Sequence, residues 1–105
     1  MYRCTILYGQ PDDPAAFDRY YREVHIPIAR KMSGLTGWNL TWIDSMNGDL
    51  GSEIYLIADL YAADKSAMDA VLASPEGQAA AADVPNFATG GATFLFGDEE
   101  EVLQS

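Results

Sequence analysis

Basic residues are scarce in this chain. Lys and Arg number 6 against 16 Asp and Glu, a formal charge of −10 over 105 residues. A surface of that sign repels polyanions, which excludes nucleic acid as a natural partner and disfavours anionic membrane surfaces. Cysteine and histidine occur once each, as Cys4 and His25. A lone Cys makes neither an internal disulfide nor a cysteine zinc cluster, and a lone His cannot build a multi-histidine metal site. Neither a P-loop nor a dinucleotide fingerprint is present, and Gly90-Gly91 is too short to cradle phosphate. The expectation is no cofactor and no metal. No apolar run approaches the ~20 residues that cross a bilayer. Met1 to Leu7 opens directly on a strand pattern, with no basic stretch followed by an apolar one. No secretory leader is therefore expected, and the expected location is cytoplasmic.

What is present suits one globular domain over 1–105. Hydrophobic residues make up 49%, enough for a single core. Asp98-Glu99-Glu100-Glu101 reads as the start of a solvated acidic tail, 98–105.

Hydrophobic periodicity supplies the elements. Tyr2–Tyr8 alternates, with Tyr2, Cys4, Ile6 and Tyr8 on one face. Asp13-Pro14 reads as a helix cap and first residue, opening a helix to about Met32 that Gly34 ends. Phe17, Tyr21, Val24, Ile28 and Met32 form its apolar stripe, with His25 on the margin. Trp38–Asp44 and Glu53–Tyr61 read as strands joined by a hairpin-type loop at Asn47-Gly48. Tyr55, Ile57, Asp59 and Tyr61 share one face of the latter. Asp64 caps a short helix, and Ser74-Pro75 opens an Ala-rich one through Ala82. Ala92–Gly97 is the last strand, with Phe94 and Phe96 on one face.

The order β-α-β-β-α-β predicts the α+β, ferredoxin-like arrangement: a four-stranded antiparallel sheet with helices on one face. The uncovered face carries further apolar and aromatic residues. Two-fold pairing of the sheets would bury it, so a homodimer through sheet faces is expected.

The run Phe17-Asp18-Arg19-Tyr20-Tyr21-Arg22-Glu23-Val24-His25-Ile26-Pro27-Ile28-Ala29 resembles the first-helix signature of the EthD family. So do Leu7-Tyr8-Gly9-Gln10-Pro11, Ser74-Pro75-Glu76-Gly77 and the segment Asp83 to Gly91 with Asn86-Phe87. The resemblance spans nearly the whole chain. It implies a dimeric α+β barrel, similar in fold to muconolactone isomerases, small quinol-forming monooxygenases and polyketide cyclases. Such proteins act on small, often aromatic molecules, commonly without a bound cofactor, and EthD members are often labelled oxidoreductases. The resemblance also implies that the matching histidine lines a pocket. In the isomerase-like relatives a tyrosine of the second strand assists that histidine; here the strand carries Trp38, Asn39 and Trp42 instead.

The candidate catalytic residue is His25, whose imidazole titrates where proton transfer near neutral pH needs it. Pro27 removes a helical donor two residues on, freeing the Glu23 carbonyl and distorting that turn. Asp59 and Asp83 are candidate partners: Asp59 because it interrupts an apolar strand and needs Arg3, a backbone donor or His25. Asp83 stands at the helix end where its charge opposes the dipole. Tyr8, Tyr21, Trp42 and Phe94 come from elements that enclose one helix–sheet space and would bind a flat aromatic ligand. Cys4 reads as a buried core thiol. The favoured function is a cofactor-independent enzyme moving protons on a small aromatic or polyketide-like molecule, as an isomerase, dehydratase or lyase, or oxidoreductase-type as the family label has it. The alternative is a non-catalytic ligand-binding or accessory homodimer.

Overall fold

Four strands build an antiparallel sheet: β1 (Tyr2–Gly9), β2 (Gly37–Trp42), β3 (Ile54–Ala62) and β4 (Ala92–Asp98), in the order β2-β3-β1-β4. The structure is a computed structural model and describes residues 1–103; Gln104 and Ser105, the end of the expected acidic tail, lie outside the described residues. The two central strands carry the core. Tyr2, Cys4, Ile6 and Tyr8 of β1 and Leu56, Ala58, Leu60 and Ala62 of β3 point to one side and are buried beneath the helices. Each large side chain so buried contributes roughly 1.5–3 kcal/mol.

The first helical segment differs from the sequence expectation in a way that places the site. α1 (Pro14–Tyr20) starts as predicted, with Asp13 Oδ1 accepting the Ala16 N–H at 3.1 Å. From Tyr21 to His25 the chain is π-helical, and the Ile26 N–H donates to the Tyr21 carbonyl five residues back. α2 (Ile26–Ala29) then closes the segment. The helix stops at Ala29 rather than Met32, through a turn at Arg30-Lys31; Gly34 follows at φ +102°. A π turn holds an extra residue, which offsets the drift of positions four apart and keeps them on one face. The buried stripe is accordingly Phe17, Tyr21, His25 and Ala29. Val24, expected in the core, is 36% exposed, and His25, expected at the margin, is 4% exposed. Pro27, with no N–H to give Glu23, is a local cause of the irregular turn.

β2 ends at Trp42, and a long loop from 43 to 53 replaces a tight hairpin. The β1–β3 ladder slips between Tyr8 and Gly9, where Gly9 faces Ile54. That irregularity leaves Tyr55 without a β1 partner, and its side chain swings to the helix side, against the expected alternation. Its ring meets Phe17 edge-on at 5.2 Å and its hydroxyl donates to Asp18 Oδ1 at 2.7 Å.

α3 (Lys65–Ala73) and α4 (Pro75–Asp83) are capped by Asp64 and Ser74, as read from the sequence. The corner between them closes on Gly77, where a Cβ would lie 2.2 Å from the Val71 carbonyl oxygen. A short 3₁₀ turn, Val84–Asn86, leads back to β4. β4 is an edge strand beyond the reach of the helices. Phe94 and Phe96 stand opposite Ile6 and Cys4, on the helix side, yet are 41% and 51% exposed.

The acidic run is not wholly solvated. Glu99 Oε1 accepts from Arg3 Nη1 and from the Tyr61 hydroxyl, each at 3.1 Å. Among the described residues, no helix is long and apolar enough to cross a membrane.

Candidate active site

The π turn delivers His25 to the interior. Its ring packs on Tyr21 at 5.0 Å and on Phe87 at 4.7 Å between centroids. Its Nδ1 lies 3.0 Å from Asp83 Oδ2 at the end of α4. Asp83 is held from two further sides: the Tyr20 hydroxyl donates to its Oδ1 at 2.6 Å and Asn86 Nδ2 donates to the same atom at 3.0 Å. These bonds offset the poor placement of an acid at a helix C-terminus.

The protonation states follow. Burial works to raise the Asp83 pKa, but the bonds from Tyr20, His25 and Asn86 overturn this and hold it below the usual 3.8. Asp83 is thus ionised at neutral pH and accepts only, so the His25 Nδ1 carries a proton and donates. Burial presses the His25 pKa below its usual 6.5, with the bond and charge of Asp83 opposing but not cancelling that. The imidazole is neutral near pH 7, and the free lone pair is on Nε2. Among the described residues Nε2 has no hydrogen-bond partner.

Beside His25 lies a cavity of about 40 Å³. Its walls bring together Tyr8, Tyr21, His25 and Phe94, four of the side chains singled out in the sequence, with Trp38 and Met32. The lining is almost wholly apolar. The Tyr8 hydroxyl and the Trp38 indole N–H are buried without a partner among the described residues. The Tyr21 hydroxyl lies near enough to both that they oppose the rise burial gives its pKa, without completing a hydrogen bond to either.

Three expected site residues stand elsewhere or play other parts. Asp59 is on the opposite face of the sheet from His25. Its Oδ1 accepts from Arg3 Nε at 2.8 Å and from Thr5 Oγ1 at 2.6 Å, the first partner anticipated for it. Strand alternation decides this: Asp59 pairs with Thr5, and both point away from the helices. That face is therefore polar at its centre rather than uniformly apolar. Trp42 is on the helix side but does not line the cavity. It sits against Tyr21, Tyr55 and Phe17, with the Arg22 guanidinium 5.1 Å from its ring. Asp83 does not line the cavity; it contacts His25. The sequence reading passed over Trp38, Tyr20 and Asn86 as site residues. Trp38 had a signal, sharing a strand face with Trp42 at an even spacing. Cys4 is buried in the cavity wall, and burial pushes its thiol up to about 11, an inert group. Among the described residues there is no cluster of three or more His, Cys, Asp or Glu able to hold a metal ion.

The strand order, the helices on one face and the cavity between them define a ferredoxin-like α+β protein with a helix–sheet site. An EthD domain matches residues 10–91, and the chain belongs to the EthD family. It is 48% identical over 103 residues to an uncharacterized 11.0 kDa protein of the thcB-thcC intergenic region of Rhodococcus erythropolis, covering 98% of this chain and 99% of that one. An EthD family protein from Bacillus halodurans c-125, solved by crystallography, superposes with a TM-score of 0.82 at 32% identity, over 95% of this chain and 99% of the other. A dimeric ferredoxin-like protein from Jannaschia sp. CCS1 shares the fold at 18% identity and a TM-score of 0.65, over 94% of this chain and 100% of that one.

Proposed function

We propose that this protein is a small enzyme that moves a proton on a small organic molecule, with His25 as general base and then general acid. The observation that carries this is the His25–Asp83 pair: Nδ1 is anchored at 3.0 Å while Nε2 is left free beside an apolar cavity. Nε2 takes a proton from an acidic C–H of the substrate. The imidazolium so formed is stabilised by the Asp83 carboxylate, which keeps its own charge. Returning the proton to a different atom completes an isomerisation; returning it to a leaving hydroxyl completes a dehydration. Tyr8, Tyr21 and Phe94 supply the apolar walls for a flat, aromatic or polyketide-like substrate. A ring needs more room than 40 Å³. That room opens at the exposed edge strand, where Phe94 forms one wall of the cavity. The working form is a homodimer through the outer sheet face, where Leu95, 50% exposed, supplies apolar surface around the Arg3–Asp59 pair.

Solvent-deuterium exchange tests the reading without a known substrate. A panel of small carbon acids is incubated in D₂O with native protein and with His25→Ala, and incorporation is followed by NMR. Accelerated exchange with at least one member, lost by roughly 10²–10⁴-fold in the variant, is expected. Exchange at the uncatalysed rate across the panel, with ligands still bound, would leave the non-catalytic ligand-binding homodimer as the better description.

A further inference from the structure

The Tyr8 hydroxyl and the Trp38 indole N–H pose a problem that the proton-transfer reading leaves unsolved. Both are buried, both residues wall the same cavity together with Tyr21, whose hydroxyl lies near both, and neither atom completes a hydrogen bond among the described residues. Tyr8 is 0% exposed. A buried donor left without an acceptor is costly, and the general expectation is that such groups are satisfied. The two belong to different strands, β1 and β2, separated by β3. Their registers fix their places: Tyr8 pairs with Leu56 and Trp38 with Leu60, all on the helix side. The indole N–H can only donate. The Tyr8 hydroxyl can donate too, and one oxygen acceptor with two lone pairs satisfies both donors.

The charge of the cavity narrows that acceptor further. No Lys or Arg is among the residues that line it. A carboxylate or phosphate brought into such a lining would lose its hydration with no cation to replace it. A neutral carbonyl oxygen suffers no such penalty. When His25 removes a proton from the carbon next to that carbonyl, negative charge moves onto the oxygen as an enolate. Hydrogen bonds donated to that oxygen gain strength at that moment. The electron pair of the broken C–H bond becomes the C=C bond of the enolate, and the proton goes to Nε2.

Resting on the proton-transfer reading and deepening it, we infer that the ligand of this cavity is a neutral, enolisable carbonyl compound whose oxygen is held by the Tyr8 hydroxyl and the Trp38 indole N–H.

Acetophenone and α-methylstyrene test this, because they have nearly the same shape and differ in carrying C=O or C=CH₂. Binding of each is followed by NMR of the indole N–H signals, with the Trp38 signal assigned through Trp38→Phe. The expected result is acetophenone binding about 10-fold or more tighter than α-methylstyrene, with the Trp38 N–H signal moving downfield. In Tyr8→Phe that preference shrinks several-fold, whereas in His25→Ala it persists. Equal affinity for the two probes overturns the inference and leaves the apolar pocket standing. Binding of neither overturns the pocket reading and the inference with it. If Trp38→Phe does not fold, the probe ratio in native protein and in Tyr8→Phe decides alone.

Discussion

His25 Nδ1 and Asp83 Oδ2 lie 3.0 Å apart, although 58 residues separate them in the chain. Two independent features of the backbone make the contact. One is the π turn that rotates His25 inward, and the other is the C-terminal end of α4, where Asp83 is steadied by Tyr20 and Asn86. The contact sets the tautomer of the only imidazole in the protein, which makes its consequences measurable one by one.

His25 is a solitary reporter, so its ring nitrogens are unambiguous in ¹⁵N NMR. Below neutrality it should titrate at a pKa under 6.5, with Nδ1 protonated in the neutral form. Asp83→Asn removes the charge that favours the imidazolium and should lower that pKa further. An unchanged titration in the variant would show that the carboxylate does not act on the ring.

Stability should depend on pH in a defined direction. The folded His25 pKa is below its unfolded value, so the unfolded chain binds more protons as pH falls below about 6.5. Its contribution is complete above that pH and is lost as pH falls through the folded pKa. Asp83, also depressed, adds a second loss beginning nearer 3.8. Thermal melts between pH 7.5 and 5 should show the first loss in native protein and a flatter profile in His25→Gln. Equal slopes in the two proteins would count against a buried neutral imidazole.

Tyr8→Phe should not destabilise the fold. The hydroxyl it removes has no partner among the described residues. Melting temperature is expected to be unchanged or to rise by roughly 4 °C, corresponding to about 1 kcal/mol. A fall of that size by calorimetry would mean that the hydroxyl is bonded within the folded protein.

Asp59→Ala should cost stability and spare the site. It strips the acceptor from Thr5 and from Arg3, whose side chain is 38% exposed. The loss should be about 1–2 kcal/mol by denaturant titration, discounted for the solvent-screened guanidinium. The His25 titration should not move. A shifted His25 pKa would mean that the two faces of the sheet communicate.

Gly77→Ala should be among the more damaging small changes. A Cβ there would lie 2.2 Å from the Val71 carbonyl oxygen and 2.8 Å from Leu72 Cα, both backbone atoms. Opening the α3–α4 corner should cost about 1–3 kcal/mol and would also disturb the cavity wall to which Gly77 belongs. A melting temperature equal to that of native protein would rule out so tight a corner.

Much of this protein is legible in its sequence, because the information is local. Alternation in Tyr2–Tyr8 and Leu56–Leu60 sets which side chains enter the core. Asp13-Pro14, Asp64 and Ser74-Pro75 set three helix starts through caps that act within three residues. Their order yields the ferredoxin-like sheet, and His25, Asp59 and Asp83 are recognisable as candidates. The errors arise where one irregular residue resets a period. The π turn exchanges Val24 for His25 in the buried stripe, and the β1–β3 slip carries Tyr55 to the other face. Distance decides what remains. Whether Asp59 or Asp83 meets His25, and whether Trp38 or Trp42 reaches the cavity, depends on strand pairing and helix placement across the whole chain. Those are non-local, and only the tertiary structure settles them: it sends Asp59 to Arg3 and Thr5, brings Asp83 to His25, and sets Tyr8 and Trp38, from separate strands, in the wall of one small cavity.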